Sequence, residues 1–320
     1  MTRKIPDNGI DLLREFFHVD VNQDERDLTG RELLSRLDGA FGVVAMLSNK
    51  FDGKTIMKLE TLKVISDFAV GYNNIDVEAA TLRGIVVTNT PGVLTEATAD
   101  LTFGLLLSAA RRIAEGDRLV RAGKFSGWTP LMMLGHEVNG KVIGIIGGGR
   151  IGAAVARRAA GFGMRILYHS HRINPEIDSV GGVFKRLPEL LSSSDFVSIN
   201  VPLTRDTKGM IGRRELKLMK RSAIIVNTAR GEVIDETALI DALKERRIAG
   251  AGLDVYVREP KVNRRFLKRE NVVLSPHLGS ATVETRAKMA ELAALNVIAV
   301  FKGERPPAVV NPSVLHAGSG

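Results

Sequence analysis

A glycine-rich turn between two apolar strand patterns constrains this chain more than any other feature. The run VIGIIGGGRIG spans residues 142–152, and a helical pattern of small residues and a second strand pattern at 165–169 follow it. In such a strand–helix–strand unit, the glycines of G-x-G-x-x-G make a tight turn, admit a pyrophosphate to the backbone and let the helix pack closely on the strand. The unpaired N–H groups at the start of the helix favour the negative charge. The sequence therefore predicts dinucleotide binding by the turn residues Gly147, Gly148, Gly149, Arg150, Ile151 and Gly152.

The end of the second strand pattern bears on which dinucleotide is bound. NAD-specific sites usually carry Asp or Glu about 20 residues after the glycines, where the carboxylate holds the ribose 2′-hydroxyl. Here the strand pattern ends in Ser170, His171 and Arg172, with no acid. A hydroxyl and a guanidinium bind a 2′-phosphate that a carboxylate would repel. We therefore expect NADP(H) to be preferred and NAD(H) to be possible; the alternative is that Arg172 is an ordinary solvated charge.

Length and composition exclude several other classes of protein. A chain of 320 residues predicts about two domains, and the lack of cysteine excludes disulfides, thiolate zinc sites and thiol nucleophiles, so we assign no metal site. No apolar run reaches the ~18 residues needed to span a bilayer and the N-terminus is unlike a signal peptide, so a cytoplasmic protein without a membrane partner is expected. The net charge is +9, but the basic residues are scattered and aromatics make up only 5%, so we expect no nucleic-acid partner.

The order of element patterns predicts an α/β protein. Nearly continuous apolar runs at 41–48, 63–70 and 85–89 are typical of buried parallel strands and predict a small α/β unit. The pattern at 95–122 is apolar nearly all round in its middle, which predicts one long helix buried between domains or against a partner subunit. A last helix is expected at 281–302 and should return to the first domain, and the AGSG end is expected to be disordered.

Short segments that include polar residues follow the predicted strands of the dinucleotide-binding unit. Because open parallel sheets bind ligands beyond the carboxyl ends of their strands, these residues are candidates for a cofactor cleft. Turn chemistry explains any one of them but explains the whole set poorly. The strand-end residues are Val201, Pro202, Thr228, Ala229, Arg230, Asp254 and His277.

Two of these strand-end residues, together with a nearby glutamate, have the chemistry needed to interconvert a carbonyl and an alcohol. The guanidinium of Arg230 suits a carboxylate and an adjacent oxygen. The imidazole of His277 can give or take a proton near neutral pH. Glu259, in the run VREP, could accept the other imidazole N–H, orient the ring and favour its protonated form. Each residue alone is more often structural, but together at strand ends they predict a catalytic group.

Sequence motifs over nearly the whole chain occur in the same order as in the D-isomer-specific 2-hydroxyacid dehydrogenases. The chain resembles this family and, within it, the glyoxylate/hydroxypyruvate reductases. Chance agreement over so many motifs in the same order is implausible. Besides the glycine-rich unit, the motifs are AVGYNNID (69–76), TNTPGVLTEATADLTFGLLL (88–107), VSINVPLTRDTKGMI (197–211), NTARG (227–231), GLDVYVREP (252–260) and SPHLGS (275–280).

The resemblance implies a fold and roles for particular residues. It implies a Rossmann dinucleotide-binding domain at 97–281, inserted in a smaller flavodoxin-like α/β substrate domain made of 1–96 and 282–320. It implies catalytic roles for the arginine, glutamate and histidine described above, and a homodimer. At the substrate, it implies that the N–H groups of Val70 and Gly71 hold the carboxylate and that Ser280 lies nearby. At the cofactor, it implies Thr98 and Gly279, with Asp254 facing the nicotinamide amide. It also implies that Trp128 reaches the neighbouring subunit's substrate site, or simply anchors an interface.

The sequence thus predicts an enzyme that uses NADP(H) to reduce a small 2-oxo acid, glyoxylate or hydroxypyruvate, to the D-2-hydroxy acid. Two alternatives stay open at this point. One is an NAD-dependent D-2-hydroxyacid dehydrogenase of other specificity, which the missing acid at Ser170 disfavours. The other is a nucleotide-sensing protein like the transcriptional corepressors of this architecture, which the lack of long partner-binding extensions disfavours.

The chain departs from the family pattern at three places. The family usually opens with a β-strand, whereas this chain starts at Met1-Thr2-Arg3-Lys4, so we expect the first strand to be short or absent. Gly148 replaces a residue that is usually bulkier, and Asn200 lies where histidine is common. Neither of these two replacements is expected to remove activity.

Overall fold

Two compact units make up the chain in a computed structural model that describes residues 1–24 and 26–316. One unit contains Met1–Leu94 and the chain from Ser280 onward, and the other contains Thr95–Gly279. The sequence patterns put the corresponding boundaries after residues 96 and 281. The AGSG end, which we expected to be disordered, lies outside the described residues.

The first unit is built on a parallel sheet whose strands are short and apolar. Its order is β1-β2-β3, and its strands are almost entirely buried, as continuous apolar runs in a parallel sheet require. The strands are β1 (Gly42–Ala45), β2 (Val64–Asp67) and β3 (Val86–Thr88). The helices before and between them are α1 (Asp7–Arg14), α2 (Gly30–Leu37), α3 (Gly53–Ile56) and α4 (Val77–Leu82).

Two stretches of extended backbone continue this sheet without forming regular strands. The N–H group of Thr2 donates to the carbonyl of Val44 at 3.2 Å, and the N–H group of Asn22 donates to the carbonyl of Met1 at 3.1 Å. The backbone order is therefore Asn22, Met1–Thr2, β1, β2, β3, which is the 2-1-3-4-5 order of a flavodoxin-like sheet. Within the described residues no strand precedes β1, as expected from the short N-terminal pattern.

The second unit is a larger parallel sheet with the topology of a dinucleotide-binding domain. Its seven strands lie in the order β10-β9-β8-β7-β4-β5-β6, so the strand order reverses between β4 and β7. Ligands of such sheets bind at this switch point, beyond the carboxyl ends of the strands. The strands are β4 (Val142–Ile146), β5 (Arg165–His169), β6 (Val183–Phe184), β7 (Phe196–Ile199), β8 (Ile224–Asn227), β9 (Gly250–Leu253) and β10 (Val272–Leu274).

Helices cover both faces of the larger sheet. They include a short 3₁₀ turn at Gly231–Val233 directly after β8. The α-helices are α5 (Thr95–Arg111), α6 (Ile113–Arg121), α7 (Arg150–Gly161), α8 (Pro175–Asp178), α9 (Leu187–Ser193), α10 (Arg213–Leu218), α11 (Glu236–Lys244) and α12 (Arg264–Leu267).

The prediction of one helix over 95–122 is wrong. Arg112 has a φ of 56°, and this left-handed residue separates α5 from α6. Helix α5 packs against α7 and strands β8 and β9 of its own unit, where Ala99 and Leu106 are fully buried. The apolar middle of the pattern is thus explained by the core of this unit. In contrast, α6 buries no residue and leaves Ile113 and Val120 exposed.

The last helix returns to the first unit, as predicted. Helix α13 (Val283–Phe301) begins where the Thr282 hydroxyl accepts a hydrogen bond from the Thr285 N–H at 3.1 Å. It packs against α1, β1 and β2, and a 3₁₀ helix at Pro312–His316 follows. Over residues 1–24 and 26–316, the helices are all too short or too polar to cross a bilayer.

Candidate active site

The glycine-rich turn after β4 has the shape of a phosphate cradle. Gly147 has a φ of 104°, and a Cβ there would lie 2.6 Å from the carbonyl carbon and oxygen of Asn200. A Cβ on Gly152 would collide with the carbonyl oxygen of Gly147. At Gly149, in contrast, nothing lies within 4 Å of the Cβ position, so the turn is open toward solvent. Only glycine fits the first and last positions, and the middle position leaves space for a ligand.

The helix that follows offers its N-terminus to this open space. Helix α7 has Gly149 as its N-cap, which provides no side-chain cap, and it has no acidic residue in its first turn. Arg150 and Ile151 therefore begin a helix whose first N–H groups are left for an anion. The cradle and the uncapped helix together fit the pyrophosphate of a nicotinamide dinucleotide.

The side chains after β5 are available to a ligand. Ser170 is partly buried, whereas His171 and Arg172 are exposed. Within the described part of the chain, no protein group makes a hydrogen bond or ion pair with any of these three side chains. These three residues include no carboxylate, so the guanidinium of Arg172 makes the local charge positive.

The ends of β7 and β8 form rigid turns. The N–H group of Asn200, which precedes Val201 and Pro202, donates to the carbonyl of Ile146 at 2.7 Å. After β8, the amide of Asn227 is an internal brace, because it donates to the carbonyl of Arg230 at 2.9 Å and accepts from the N–H of Ala229 at 3.0 Å. The braced turn fixes the backbone from which the arginine side chain extends.

Thr228 is fixed from a neighbouring helix. Its hydroxyl lies 2.9 Å from that of Thr102 on α5. The Arg230 side chain folds back on its own turn, where Nη1 donates to the carbonyl of Ala229 at 2.7 Å. The turn Thr228–Arg230 is thus ordered by short contacts within the second unit.

Glu259 and His277 form a hydrogen-bonded pair. The imidazole Nδ1 lies 2.7 Å from Glu259 Oε2, and the two side chains are 33% and 35% exposed for histidine and glutamate, so a substrate can reach them. The other carboxylate oxygen accepts the N–H of Tyr256 at 2.9 Å, which fixes the carboxylate. His277 has a φ of 57°, and its N–H donates to the carbonyl of Asp254 at 2.9 Å. The left-handed conformation is costly for a residue with a Cβ and is held by these contacts.

The charge state of Glu259 follows from its surroundings. Burial by itself would raise the pKa of this carboxyl group, but the hydrogen bond and charge of His277, the N–H of Tyr256 and the charge of Arg230 outweigh it and lower the pKa. The carboxylate is thus ionised near neutral pH, and both His277 and Arg230 lower its pKa. The predicted residues Arg230, Glu259 and His277 are brought together in the second unit.

Asp254 holds the loop that carries His277. It is fully buried and accepts hydrogen bonds from Ser275 Oγ at 2.6 Å, from the Leu278 N–H at 2.7 Å and from the Gly279 N–H at 2.8 Å. Burial raises the pKa of Asp254, and these hydrogen bonds oppose the rise. The hydroxyl of Thr98 donates to the Gly279 carbonyl at 3.0 Å on the same loop. Cofactor contacts by Asp254 and Thr98 stay predictions.

Two further residues, Tyr256 and Ser275, shape this site and were not singled out from the sequence. The Tyr256 hydroxyl donates to the carbonyl of Ser275 at 2.9 Å, while its backbone N–H orients Glu259. Burial, followed by the charges of Asp254 and Glu259, raises the pKa of Tyr256 to about 12, so it stays a hydrogen-bond donor. Both residues lie inside quoted motifs, but no periodicity distinguishes a buried tyrosine that joins two strand ends from one that only fills space.

The residues proposed for the substrate carboxylate lie in the first unit. Val70 and Gly71 follow β2 and are partly buried, and in the described residues no protein acceptor takes their N–H groups. Asn89 Nδ2 donates to the Val70 carbonyl at 2.7 Å, which fixes this turn. Ser280 is partly buried, and its carbonyl accepts the N–H of Thr282 at 2.9 Å before α13 begins.

Trp128 is the most exposed aromatic side chain of the second unit's connector. It lies between α6 and β4, where the backbone forms no helix or strand, and it is 77% exposed. Phe125, Leu131 and Leu134 of the same connector are also exposed. A role at another subunit's site stays a prediction.

Known proteins match this chain over nearly its full length. A family model described as the D-isomer specific 2-hydroxyacid dehydrogenase, NAD binding domain, matches residues 103–279. A glyoxylate reductase from Thermococcus gammatolerans is 54% identical over an alignment that covers 98% of this chain and 96% of that protein. A solved structure from Thermus thermophilus aligns with a TM-score of 0.91 and 44% identity over 97% of this chain and 98% of that one.

A second solved structure carries a bound coenzyme. It is an NADPH-dependent glyoxylate/hydroxypyruvate reductase from Sinorhizobium meliloti in complex with NADP and malonate, with a TM-score of 0.86 and 33% identity over 96% of this chain and 94% of that one. The glycine-rich cradle fits the same kind of coenzyme. The chain therefore belongs to the D-isomer-specific 2-hydroxyacid dehydrogenase family and is an NAD(P)-dependent oxidoreductase.

Proposed function

We propose that the enzyme reduces glyoxylate, hydroxypyruvate or both to the corresponding D-2-hydroxy acid, with NADP(H) as its preferred coenzyme. The observation that carries the proposal is the hydrogen bond of 2.7 Å between His277 and Glu259, on the loops after β10 and β9. Arg230 follows the neighbouring strand β8 and lowers the pKa of the same carboxylate. An acid, its orienting partner and a fixed cation are the groups that a carbonyl reduction needs.

His277 supplies the proton in this proposal. The nicotinamide, when bound, supplies the hydride that reduces C2 of the 2-oxo acid. Nε2 of His277 donates its proton to the carbonyl oxygen as that oxygen gains negative charge, which completes the hydroxyl group. Glu259 accepts the N–H at Nδ1 and keeps the ring in one orientation during the transfer.

Cationic and N–H groups orient the 2-oxo acid. The guanidinium of Arg230 binds the carboxylate and the adjacent carbonyl oxygen, and so polarises the carbonyl group. The N–H groups of Val70 and Gly71 bind the carboxylate, which is supported by their lack of a protein acceptor in the described residues. Ser280 contributes a hydroxyl to the substrate.

The residues after β5 favour the 2′-phosphorylated coenzyme. Arg172 is exposed and forms no ion pair within the described residues, so it is free to bind a phosphate. Ser170 adds a hydroxyl and His171 a second nitrogen donor, and no carboxylate opposes the charge. The NADPH-dependent relative from S. meliloti supports this preference, because it was solved with NADP bound.

Two copies of the chain associate in this proposal. Helix α6 and the connector after it expose an unusual density of large apolar side chains, which is typical of an interaction surface. The aromatic ring of Trp128 extends from this surface toward the substrate site of the second copy. The exposed side chains are Ile113, Val120, Phe125, Trp128, Leu131, Met132 and Leu134.

A panel of initial rates tests the reaction. NADPH and NADH are each supplied with glyoxylate, hydroxypyruvate, pyruvate and phosphohydroxypyruvate, and each reaction is also run in reverse. We expect the highest kcat/KM for NADPH with glyoxylate or hydroxypyruvate, and a faster reduction than oxidation near neutral pH. A higher kcat/KM with NADH, or turnover restricted to another 2-oxo acid, would contradict the proposal, and absent turnover would favour a nucleotide-binding function.

A further inference from the structure

A short segment after β5 carries the three side chains that face the 2′-position in the proposed function. Its far end is held by Asn174. The Asn174 amide Nδ2 donates to the carbonyl of Gly148 at 2.7 Å, while its Oδ1 accepts the N–H of Glu176 at 2.9 Å and caps α8. One side chain thus joins the segment to the glycine-rich turn and to the next helix.

The backbone of Asn174 is fixed as well. Its N–H group donates to the hydroxyl of Tyr168 at 3.1 Å, and that hydroxyl donates to Asp178 Oδ1 at 2.8 Å. The tyrosine ring is fully buried in β5. The segment 170–173 is therefore closed between a buried strand residue and a capped helix.

The segment also approaches the glycine-rich turn closely at its other end. A Cβ on Gly148 would lie 3.0 Å from Ser170 Cβ and 3.1 Å from Ser170 Oγ. The absence of a side chain at Gly148 leaves the room in which Ser170 lies. The hydrogen bond from Asn174 to the same glycine holds the segment in that position.

The ligand-facing side chains lack contacts of their own. Within the described residues, Ser170, His171 and Arg172 make no side-chain hydrogen bond with the protein, so the backbone of the segment sets where they point. A rigid backbone lowers the entropy cost of ordering such side chains on a ligand. A loose backbone would weaken contacts to the 2′-phosphate and leave contacts to the pyrophosphate and nicotinamide intact.

We propose that Asn174 is a positioning residue for coenzyme selectivity, which acts by docking the segment 170–173 on Gly148. The inference rests on the proposed preference for NADP(H). It assigns to Asn174 no contact with the coenzyme or the substrate. Its effect is expected in the discrimination between the two coenzymes and not in the chemical step.

The substitution Asn174→Ser isolates the docking contact. A serine hydroxyl still caps α8 but cannot reach Gly148. The matched control is Asn263→Ser, because Asn263 also caps a four-residue helix, α12, while its Nδ2 donates a second hydrogen bond, in this case to the carboxylate of Glu236 at 2.8 Å. The control also loses one hydrogen bond donated by an amide Nδ2, far along the chain from the coenzyme segment.

Two readouts are compared for the wild type and both variants. The first is KM and kcat for NADPH and for NADH. The second is calorimetric binding of adenosine 2′,5′-bisphosphate and of adenosine 5′-monophosphate, which does not depend on turnover. For Asn174→Ser we expect KM for NADPH and the dissociation constant of the bisphosphate to rise about 3- to 10-fold, as loss of one hydrogen bond implies, with NADH, the monophosphate and kcat unchanged.

Three outcomes overturn the inference. They are equal losses with both coenzymes, no change with either, and the same selective loss in Asn263→Ser. The variant Arg172→Ala separates this failure from failure of the proposed function. If Arg172→Ala lowers NADPH affinity selectively while Asn174→Ser does not, only the positioning role is wrong. If neither variant has a selective effect and the wild type does not prefer NADPH, the proposed NADP(H) preference is wrong.

Discussion

At the scale of single residues, the proposed mechanism depends on a carboxylate that stays ionised while it is partly buried. The pKa of Glu259 is lowered from its ordinary value of 4.5, because the hydrogen bond to His277 and nearby donors outweigh the effect of burial. A lowered folded pKa means that the unfolded chain binds the proton more tightly. Ionised Glu259 therefore stabilises the folded state above pH 4.5, and this contribution is lost as the pH falls through the folded pKa.

The lowered pKa of Glu259 predicts how the stability of the protein changes with pH. Between about pH 5 and pH 3, the free energy of unfolding of the wild type is expected to fall more steeply than that of Glu259→Gln, which cannot titrate there. Urea titrations across this range measure both slopes. A variant whose slope equals or exceeds that of the wild type would show that Glu259 is not stabilised as an anion.

The second residue-scale prediction concerns Arg172. Arg172→Asp replaces a free cation by a carboxylate at the proposed phosphate position, so KM for NADPH should rise about 10-fold or more while KM for NADH stays constant or falls. Initial rates at saturating glyoxylate measure both constants. The control is Arg165→Asp, which makes the same charge change at the exposed first residue of β5. Equal effects of the two variants would mean that only net charge matters.

At the scale of elements, the sequence predicts best where one local requirement determines the structure. Only glycine fits the turn at Gly147 and Gly152, and apolar runs identify the buried strands. The break at Arg112 was missed because an apolar periodicity continues through a single left-handed residue. The docking of Asn174 on Gly148 was missed for a different reason, since it depends on two segments brought together only by the folded sheet. His277 and Glu259 were found through their chemistry at strand ends, whereas Tyr256 offered no such signal.

The left-handed conformation of Arg246 gives a prediction about stability. Arg246 has a φ of 54° after α11, and the N–H of Arg247 bonds back to the carbonyl of Ala242 at 2.8 Å, a closing pattern that favours glycine. Arg246→Gly should therefore stabilise the protein by about 0.5–1 kcal/mol. Thermal unfolding measures the change. The matched control is Lys244→Gly at the last residue of α11, where glycine should destabilise the protein by up to about 1 kcal/mol. A lower Tm for Arg246→Gly would contradict the prediction.

At the scale of the whole molecule, exposed apolar side chains on α6 and its connector predict a dimer. Sedimentation equilibrium at micromolar concentration is expected to give twice the mass of one chain. The double variant Val120→Glu with Leu131→Glu places two charges on this surface and should shift the mass toward one chain without lowering the Tm of the monomer. A single-chain mass for the wild type, or an unaltered dimer in the variant, would assign these side chains another role.

The net charge of +9 has a consequence at the same scale. A positive field raises the local concentration of anions, and both the proposed coenzyme and the proposed substrate are anions. The charge thus needs no nucleic-acid partner to explain it. The family membership and the fold follow from motifs spread along the chain, whereas the proposed coenzyme preference rests on a few side chains after β5.

The proposed role of His277 is tested by the rate of glyoxylate reduction by His277→Ala at saturating NADPH. We expect kcat to fall about 100-fold or more, because a general acid is removed, while the dissociation constant for NADPH stays close to that of the wild type. Stopped-flow absorbance at 340 nm measures the rate, and quenching of protein fluorescence measures the binding. Turnover near the wild-type rate with coenzyme bound would show that His277 does not deliver the proton, and the proposed mechanism would be wrong.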